Sequence, residues 1–163
     1  KGKEEAIRII ETTELKNDRV LVVYLPDCHE SLAGIIAGRI REKYHRPAFV
    51  LTGGETSAKG SGRSIESYSM YEELVKCADL MIQFGGHPMA AGLSIEEKNI
   101  EEFRRRLNVN CTLTDEELRP KIVIDVPMPV SYITKTGRTD FASGTLWKRE
   151  YKTGLCTEKS QSA

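Results

Sequence analysis

Long apolar runs, paired cysteines and an excess of charge of either sign are all missing from this sequence. No stretch approaches the roughly 20 apolar residues that cross a bilayer, and Lys1–Ala6 lacks a signal-peptide pattern, so the expected address is the cytoplasm, with no membrane partner. The four cysteines, Cys28, Cys77, Cys111 and Cys156, lie far apart and form no C-x-x-C pair, which argues against a zinc site or a disulfide framework and for reduced thiols. Lys plus Arg number 24 and Asp plus Glu number 24, so the net charge is zero. That balance excludes a surface coated in positive charge to hold duplex DNA, though not a local cationic groove. A two-metal phosphodiesterase needs carboxylates and histidines converging on ions roughly 3.5–4 Å apart. Here no D-x-D or D-H-H occurs, and the three histidines, His29, His45 and His87, have no clustered Asp partners. The Walker spacing G-x-x-x-x-G-K-[ST] is absent as well, which removes support for nucleotide hydrolysis of that type.

What is present is the material of one domain. The chain has 163 residues, 39% of them apolar and 29% charged, enough for a single core with a short appendage. Glu4–Thr13 reads as a short amphipathic helix. Arg19–Leu25 and Pro47–Leu51 are apolar runs of the kind that form buried strands. Between them a helix capped by Ser31 is predicted to run to about Tyr44, with Leu32, Ile35, Ile36 and Ile40 on its apolar stripe. Strand, helix and strand in this order make a βαβ unit. Thr52–Gly62 reads as a loop leading into a short strand at Arg63–Ile65. A capping box at Ser69–Glu72 opens a helix to about Met81. Phe84–Pro88 reads as a turn, Met89–Ile95 as a strand, and Ile100, Phe103 and Leu107 as one face of a helix. A second capping box stands at Thr114–Glu117, and Lys121–Val126 reads as a final strand. The fold predicted is α/β, a single domain with a central mixed sheet flanked by helices. Residues 1–18 form the lead-in, 19–108 the domain, 109–135 a connector towards a strand-rich unit, and 136–163 an irregular tail.

Four places could carry chemistry. Arg39, Arg41, Lys43 and Arg46 make a cationic cluster that is either a binding surface or the solvated face of a helix. Lys59-Gly60-Ser61-Gly62-Arg63-Ser64 combines glycines that admit a close approach, hydroxyl donors, and an arginine able to grip phosphate with two prongs; the alternative is a flexible surface loop. Gly85-Gly86-His87-Pro88 sets an imidazole on a glycine turn, to contact a phosphate or a scissile group or simply to hydrogen-bond the turn. His29 is either a ligand contact or a helix-start residue.

Taken in order, CHESLAGIIAGRIREKYHRPAFVL, KGSGRS and FGGHPMAAGL resemble the accessory, DHH-associated domain of RecJ-type single-strand-specific exonucleases of the DHH phosphoesterase superfamily. The resemblance runs from about Arg19 to Leu107. Family members usually open the first motif with an aromatic residue, His, Pro and Gly; Asp27-Cys28-His29-Glu30-Ser31 keeps only the histidine. The resemblance implies that hydrolysis belongs to a separate N-terminal DHH domain holding two divalent cations, Mn2+ or Mg2+, while this domain binds no cofactor, closes the cleft and holds the backbone of single-stranded nucleic acid. Lys59, Ser61, Arg63, Gly85, Gly86, His87 and His29 are then the expected phosphate contacts, with His87 near the scissile group. This chain by itself is expected to be a monomer, to cut nothing, and to have the DHH domain as its partner. An accessory domain of a DHH-family oligoribonuclease or phosphoadenosine phosphatase is the nearest alternative, and a protein-docking module is an alternative of another class.

From Thr136 the texture changes to a stretch with neither helical nor strand periodicity. Back-translated with the first base of the Thr136 codon removed, synonymous codons exist that spell QEELISLLEPFGKGNTKPVC, similar to the segment that joins the accessory domain to the next fold in RecJ proteins. Residues 136–163 are therefore expected to be an out-of-frame reading that adds little to the core.

Overall fold

In the computed structural model, which describes residues 2–120, a five-stranded mixed sheet runs in the order β1-β2-β3-β5-β4. β1 (Leu21–Leu25) and β2 (Ala48–Thr52) are parallel and joined by α2 (Glu30–Tyr44), the crossover that a parallel pair requires. Every residue of β2 is buried, as its unbroken apolar sequence requires of a strand covered on both faces. β3 (Ala58–Arg63) lies antiparallel between β2 and β5 (Ala90–Ile95), and β4 (Met81–His87) completes an edge hairpin with β5. The expected α/β class and mixed sheet are thus the observed ones.

Two apolar layers sandwich the sheet. On one face, α1 (Gly2–Thr12) and α2 bury Ala6, Ile10, Ala33, Ile36, Ala37 and Ile40 against Leu21, Val23, Ala48 and Val50. On the other, α3 (Met70–Lys76) and α4 (Ile100–Asn110) bury Met70, Leu74, Phe103 and Leu107 against Phe49, Leu51, Leu93 and Ile95. Phe49 and Phe103 meet edge to face, with ring centroids 5.4 Å apart. No helix among the described residues is long and apolar enough to cross a membrane.

Several local expectations are corrected. The α2 stripe was expected at Leu32, Ile35, Ile36 and Ile40; Leu32 and Ile35 are instead 45% and 64% exposed, and Ala33 and Ala37 take their places. The buried positions 33, 36, 37 and 40 keep helical spacing, and the small alanines let the helix lie close to the sheet. The N-cap of α2 is His29 rather than Ser31, its Nδ1 accepting from the Ser31 N–H at 3.2 Å. At Ser69 no side-chain cap forms, its Oγ is buried without a partner, and α3 ends at Lys76 rather than Met81. The Thr114–Glu117 box does form: Thr114 N–H donates to Glu117 Oε2 at 2.8 Å, and Glu117 N–H to Thr114 Oγ1 at 3.4 Å.

The larger corrections concern the two glycine motifs. Lys59–Arg63 is not a loop but the body of a central strand, paired on both sides. Gly85-Gly86-His87 is the end of β4, and the turn consists of Pro88 and Met89. Gly, Ser and Lys have weak strand preference, yet two flanking strands satisfy every ladder position they offer. The strand predicted at Lys121–Val126 and the tail from Thr136 lie outside the described residues.

Candidate nucleic-acid interface

Side-chain alternation along β3 divides its motif between the two faces of the sheet. Gly60 and Gly62 point into the core beneath α3 and α4. A Cβ on Gly62 would stand 2.6 Å from Met70 Sδ and from a Phe49 ring carbon, and one on Gly60 would stand 3.0 Å from Leu93 Cγ. These glycines are in the strand because neighbouring side chains already occupy their space. Lys59, Ser61 and Arg63 project to the opposite face, towards α2.

The registers extend that face across three strands. Lys59 aligns with Ser94 and Gln83, Ser61 with Gly92 and Gly85, and Arg63 with Ala90 and His87. The middle row is a floor. A Cβ on Gly85 would meet nothing within 4 Å, and one on Gly92 would meet only the Gly60 carbonyl oxygen at 3.9 Å. α2 packs over β2 and β3, while Gln83, Gly85 and His87 of the edge strand stay exposed. Between the start of α2 and this strip runs a groove of about 550 Å³, lined by Glu30, Ser31, Lys59, Ser61, Gln83 and Gly85 among others.

Within this frame the expected residues separate. Lys59 and Ser61 line the groove, and Lys59 Nζ donates to Ser94 Oγ at 3.0 Å. Arg63 lies one row beyond, half-buried against α2, with Nη1 donating to Gly62 O at 2.7 Å and to Ser61 Oγ at 3.2 Å. His87 ends the same row, exposed, its Nδ1 accepting from the Met89 N–H at 3.3 Å. That places His87 two strands from Arg63, about 10 Å by strand spacing. Gly85 belongs to the floor, whereas Gly86 holds φ +148° where a Cβ would stand 2.4 Å from Ala90 O, so it serves the hairpin backbone. His29 caps α2, hydrogen-bonds Ser31 Oγ at 2.8 Å, and lines an adjoining depression of about 740 Å³ that also reaches Lys59.

Charge concentrates at Lys59 and Arg63 by default. Of the cations on α2 and just beyond it, Arg39 and Arg41 face Glu42, Lys43 pairs with Glu11 at 2.8 Å, and Arg46 donates to the Lys16 and Asp18 carbonyls. Their positive charge is locally committed, as on a solvated helix face. Among the described residues no carboxylate stands within ion-pair distance of Lys59 or Arg63. None of the described His, Cys, Asp and Glu side chains gather in threes that could hold a metal ion.

Sequence reasoning missed Gln83, Gly92, Ser94 and Ser31. The signal was the alternation in Ala90-Ala91-Gly92-Leu93-Ser94-Ile95, where small or polar residues fall on one face and apolar ones on the other. The strand was expected, but which face stayed open depends on where α2 ends.

Comparison with known proteins agrees with this architecture. The DHHA1 domain model matches residues 17–112. The single-stranded-DNA-specific exonuclease RecJ of Bacillus subtilis strain 168 is 36% identical over 138 residues, covering 82% of this chain and 17% of that protein. RecJ of Salmonella typhimurium is 38% identical over 134 residues (76% and 23%), and RecJ of Escherichia coli K12 is 36% identical over 140 residues (80% and 24%). The chain therefore spans about a fifth of the length of these curated relatives. Among solved structures, exonuclease RecJ bound to manganese superposes with a TM-score of 0.62 at 28% identity, covering 73% of this chain and 30% of that one. RecJ of Thermus thermophilus in complex with Mg2+ superposes with a TM-score of 0.69 at 25% identity, covering 86% and 22%. With the domain model matching more than half of its residues and the sheet superposing on these structures, the chain belongs to the DHHA1 domain family and is a RecJ-like member of it.

Proposed function

We propose that this chain is the accessory domain of a RecJ-like 5′-to-3′ single-strand exonuclease and that its open sheet face holds the backbone of single-stranded DNA. The observation that carries the reading is the row Lys59, Ser61 and Arg63 on one strand, beside a floor formed by Gly85 and Gly92. Cations and a hydroxyl at every second residue present donors in line, and a floor without side chains lets a chain of phosphates approach. Such contacts fix register without reading bases, as an enzyme that degrades any sequence needs. The name of the relatives, single-stranded-DNA-specific exonuclease, supports the substrate class. Hydrolysis belongs on this reading to a DHH domain holding Mn2+ or Mg2+, and this chain alone cuts nothing. The RecJ neighbours bound to manganese and magnesium support that division.

Binding of a fluorescent single-stranded deoxythymidine oligonucleotide across a salt series tests the reading. Arg63→Ala should weaken binding roughly tenfold, the size of a charged hydrogen bond. It should also lower the salt slope by about 0.7, one phosphate's share on a single strand. Arg63→Lys should restore only part, since an ammonium keeps charge but not the two-pronged geometry. Wild-type binding in Arg63→Ala together with a large drop in melting temperature would make Arg63 a structural residue. A preference for short oligoribonucleotides would favour the oligoribonuclease reading, and manganese-dependent DNA degradation by the purified chain would refute the division of labour.

A further inference from the structure

We propose that Gly34, in the second turn of α2, is a positioning residue that holds open the phosphate-gripping edge of Arg63. The inference rests on the reading of Arg63 as a phosphate contact and adds the element that sets its pose.

Arg63 Nη1 directs its two hydrogens at Gly62 O, 2.7 Å away, and Ser61 Oγ, 3.2 Å away. The end of the guanidinium is thereby tied down on its own strand. What remains is the side formed by Nε and Nη2, two parallel donors of the geometry that matches two oxygens of one phosphate. Neither has a hydrogen-bond partner among the described residues. Nη2 lies directly against α2 at Gly34, where a Cβ would stand 2.8 Å from Nη2 and 3.1 Å from Ser61 Oγ. Any side chain at position 34 therefore displaces the guanidinium or fills the space before it.

Glycine inside a helix is less favourable than alanine, so its presence here wants a reason. Gly38, one turn on, is a control provided by the same helix, since a Cβ there would meet nothing within 4 Å. The two glycines are alike in helix cost and differ in whether Arg63 lies opposite. The atoms crowded at Gly34 are the far end of a flexible side chain and a hydroxyl, not backbone, so the fold can accept alanine by moving Arg63 aside.

The test measures affinity for the deoxythymidine oligonucleotide, its salt slope, and thermal unfolding for the 163-residue chain and its G34A, G38A, R63A and G34A/R63A variants. G34A should bind roughly tenfold more weakly, with the reduced salt slope of R63A, yet melt no lower than wild type. G38A should melt higher and bind as wild type. In the R63A background, adding G34A should cost no further affinity, because the two substitutions remove one contact. Wild-type binding by G34A while R63A is weakened overturns the proposal and leaves the phosphate reading standing. Additive losses in the double variant, or a melting temperature of G34A well below wild type, overturn it by making Gly34 a packing residue. Wild-type binding by R63A removes the phosphate reading itself, and this proposal with it.

Discussion

At the scale of the residue, β3 assigns opposite work to neighbours. Ser61 and Arg63 face the groove side, while Gly62 between them lies against Phe49 and Met70 in the core. Gly62→Ala should destabilise by about 1–3 kcal/mol, because a methyl group 2.6 Å from a ring carbon and a sulfur must push side chains off their rotamers. Gly60→Ala, with nearest neighbours at 3.0–3.3 Å, should cost less. Urea unfolding of both variants checks this, and equal midpoints would show that the core beneath β3 yields freely. Arg63→Ala should leave the midpoint nearly in place, so the same strand separates a stability phenotype from a binding phenotype.

At the scale of the element, the end of α4 is fastened to the start of β1 through one side chain. Asn108 Oδ1 accepts from the Arg19 N–H at 2.9 Å and the Val20 N–H at 3.0 Å, and its Nδ2 donates to Val20 O and Arg104 O at 3.0 Å each. Arg104 adds a 2.6 Å ion pair with Asp18, which keeps its guanidinium charged more firmly than usual. Asn108→Ala would leave part-buried peptide groups unpaired, a loss of about 1–3 kcal/mol. Amide exchange at Arg19 and Val20 should then accelerate ahead of exchange in β2. Exchange rising uniformly through the sheet would mean that Asn108 acts on global stability rather than as a local clamp.

At the scale of the whole molecule, burial of tyrosine sets an alkaline limit. Burial, then the hydrogen bond to Glu97 and the charges of Glu97 and Asp27, pushes Tyr24 up to about 12. Tyr68 is likewise raised, mainly by burial and then by Glu73. An unfolded tyrosine ionises near 10, so the folded state holds these protons more tightly. The stability they contribute is complete below about pH 10 and is lost as pH climbs towards 12. The Tyr68 hydroxyl is buried without a hydrogen-bond partner, so Tyr68→Phe should leave stability at about pH 7 unchanged or higher, and should flatten the loss above about pH 10. Denaturant midpoints at neutral and alkaline pH measure this; an unchanged alkaline slope would show that Tyr68 loses its proton as readily in the folded chain as in the unfolded one.

Much of this protein was legible in the residues. The apolar run ending at Leu25 and the run PAFVL could only be strands buried on both faces, and with α2 between them they define a parallel pair. The ordered motifs, KGSGRS among them, marked the family and the residues Lys59, Ser61 and Arg63. What composition hid was their backbone: Gly and Ser read as loop because the partners that make them a strand, Phe49 on one side and Gly92 on the other, are distant in sequence. Hydrogen bonding across β2, β3 and β5 overrode local preference, since a central strand satisfies its peptide groups on both edges whatever its side chains prefer. The open face, the glycine floor and the contact of Gly34 with Arg63 exist only where α2 lies over β3 and stops short of β4. One-dimensional periodicity tells which side of an element is apolar, but which neighbour arrives there is decided by packing in three dimensions.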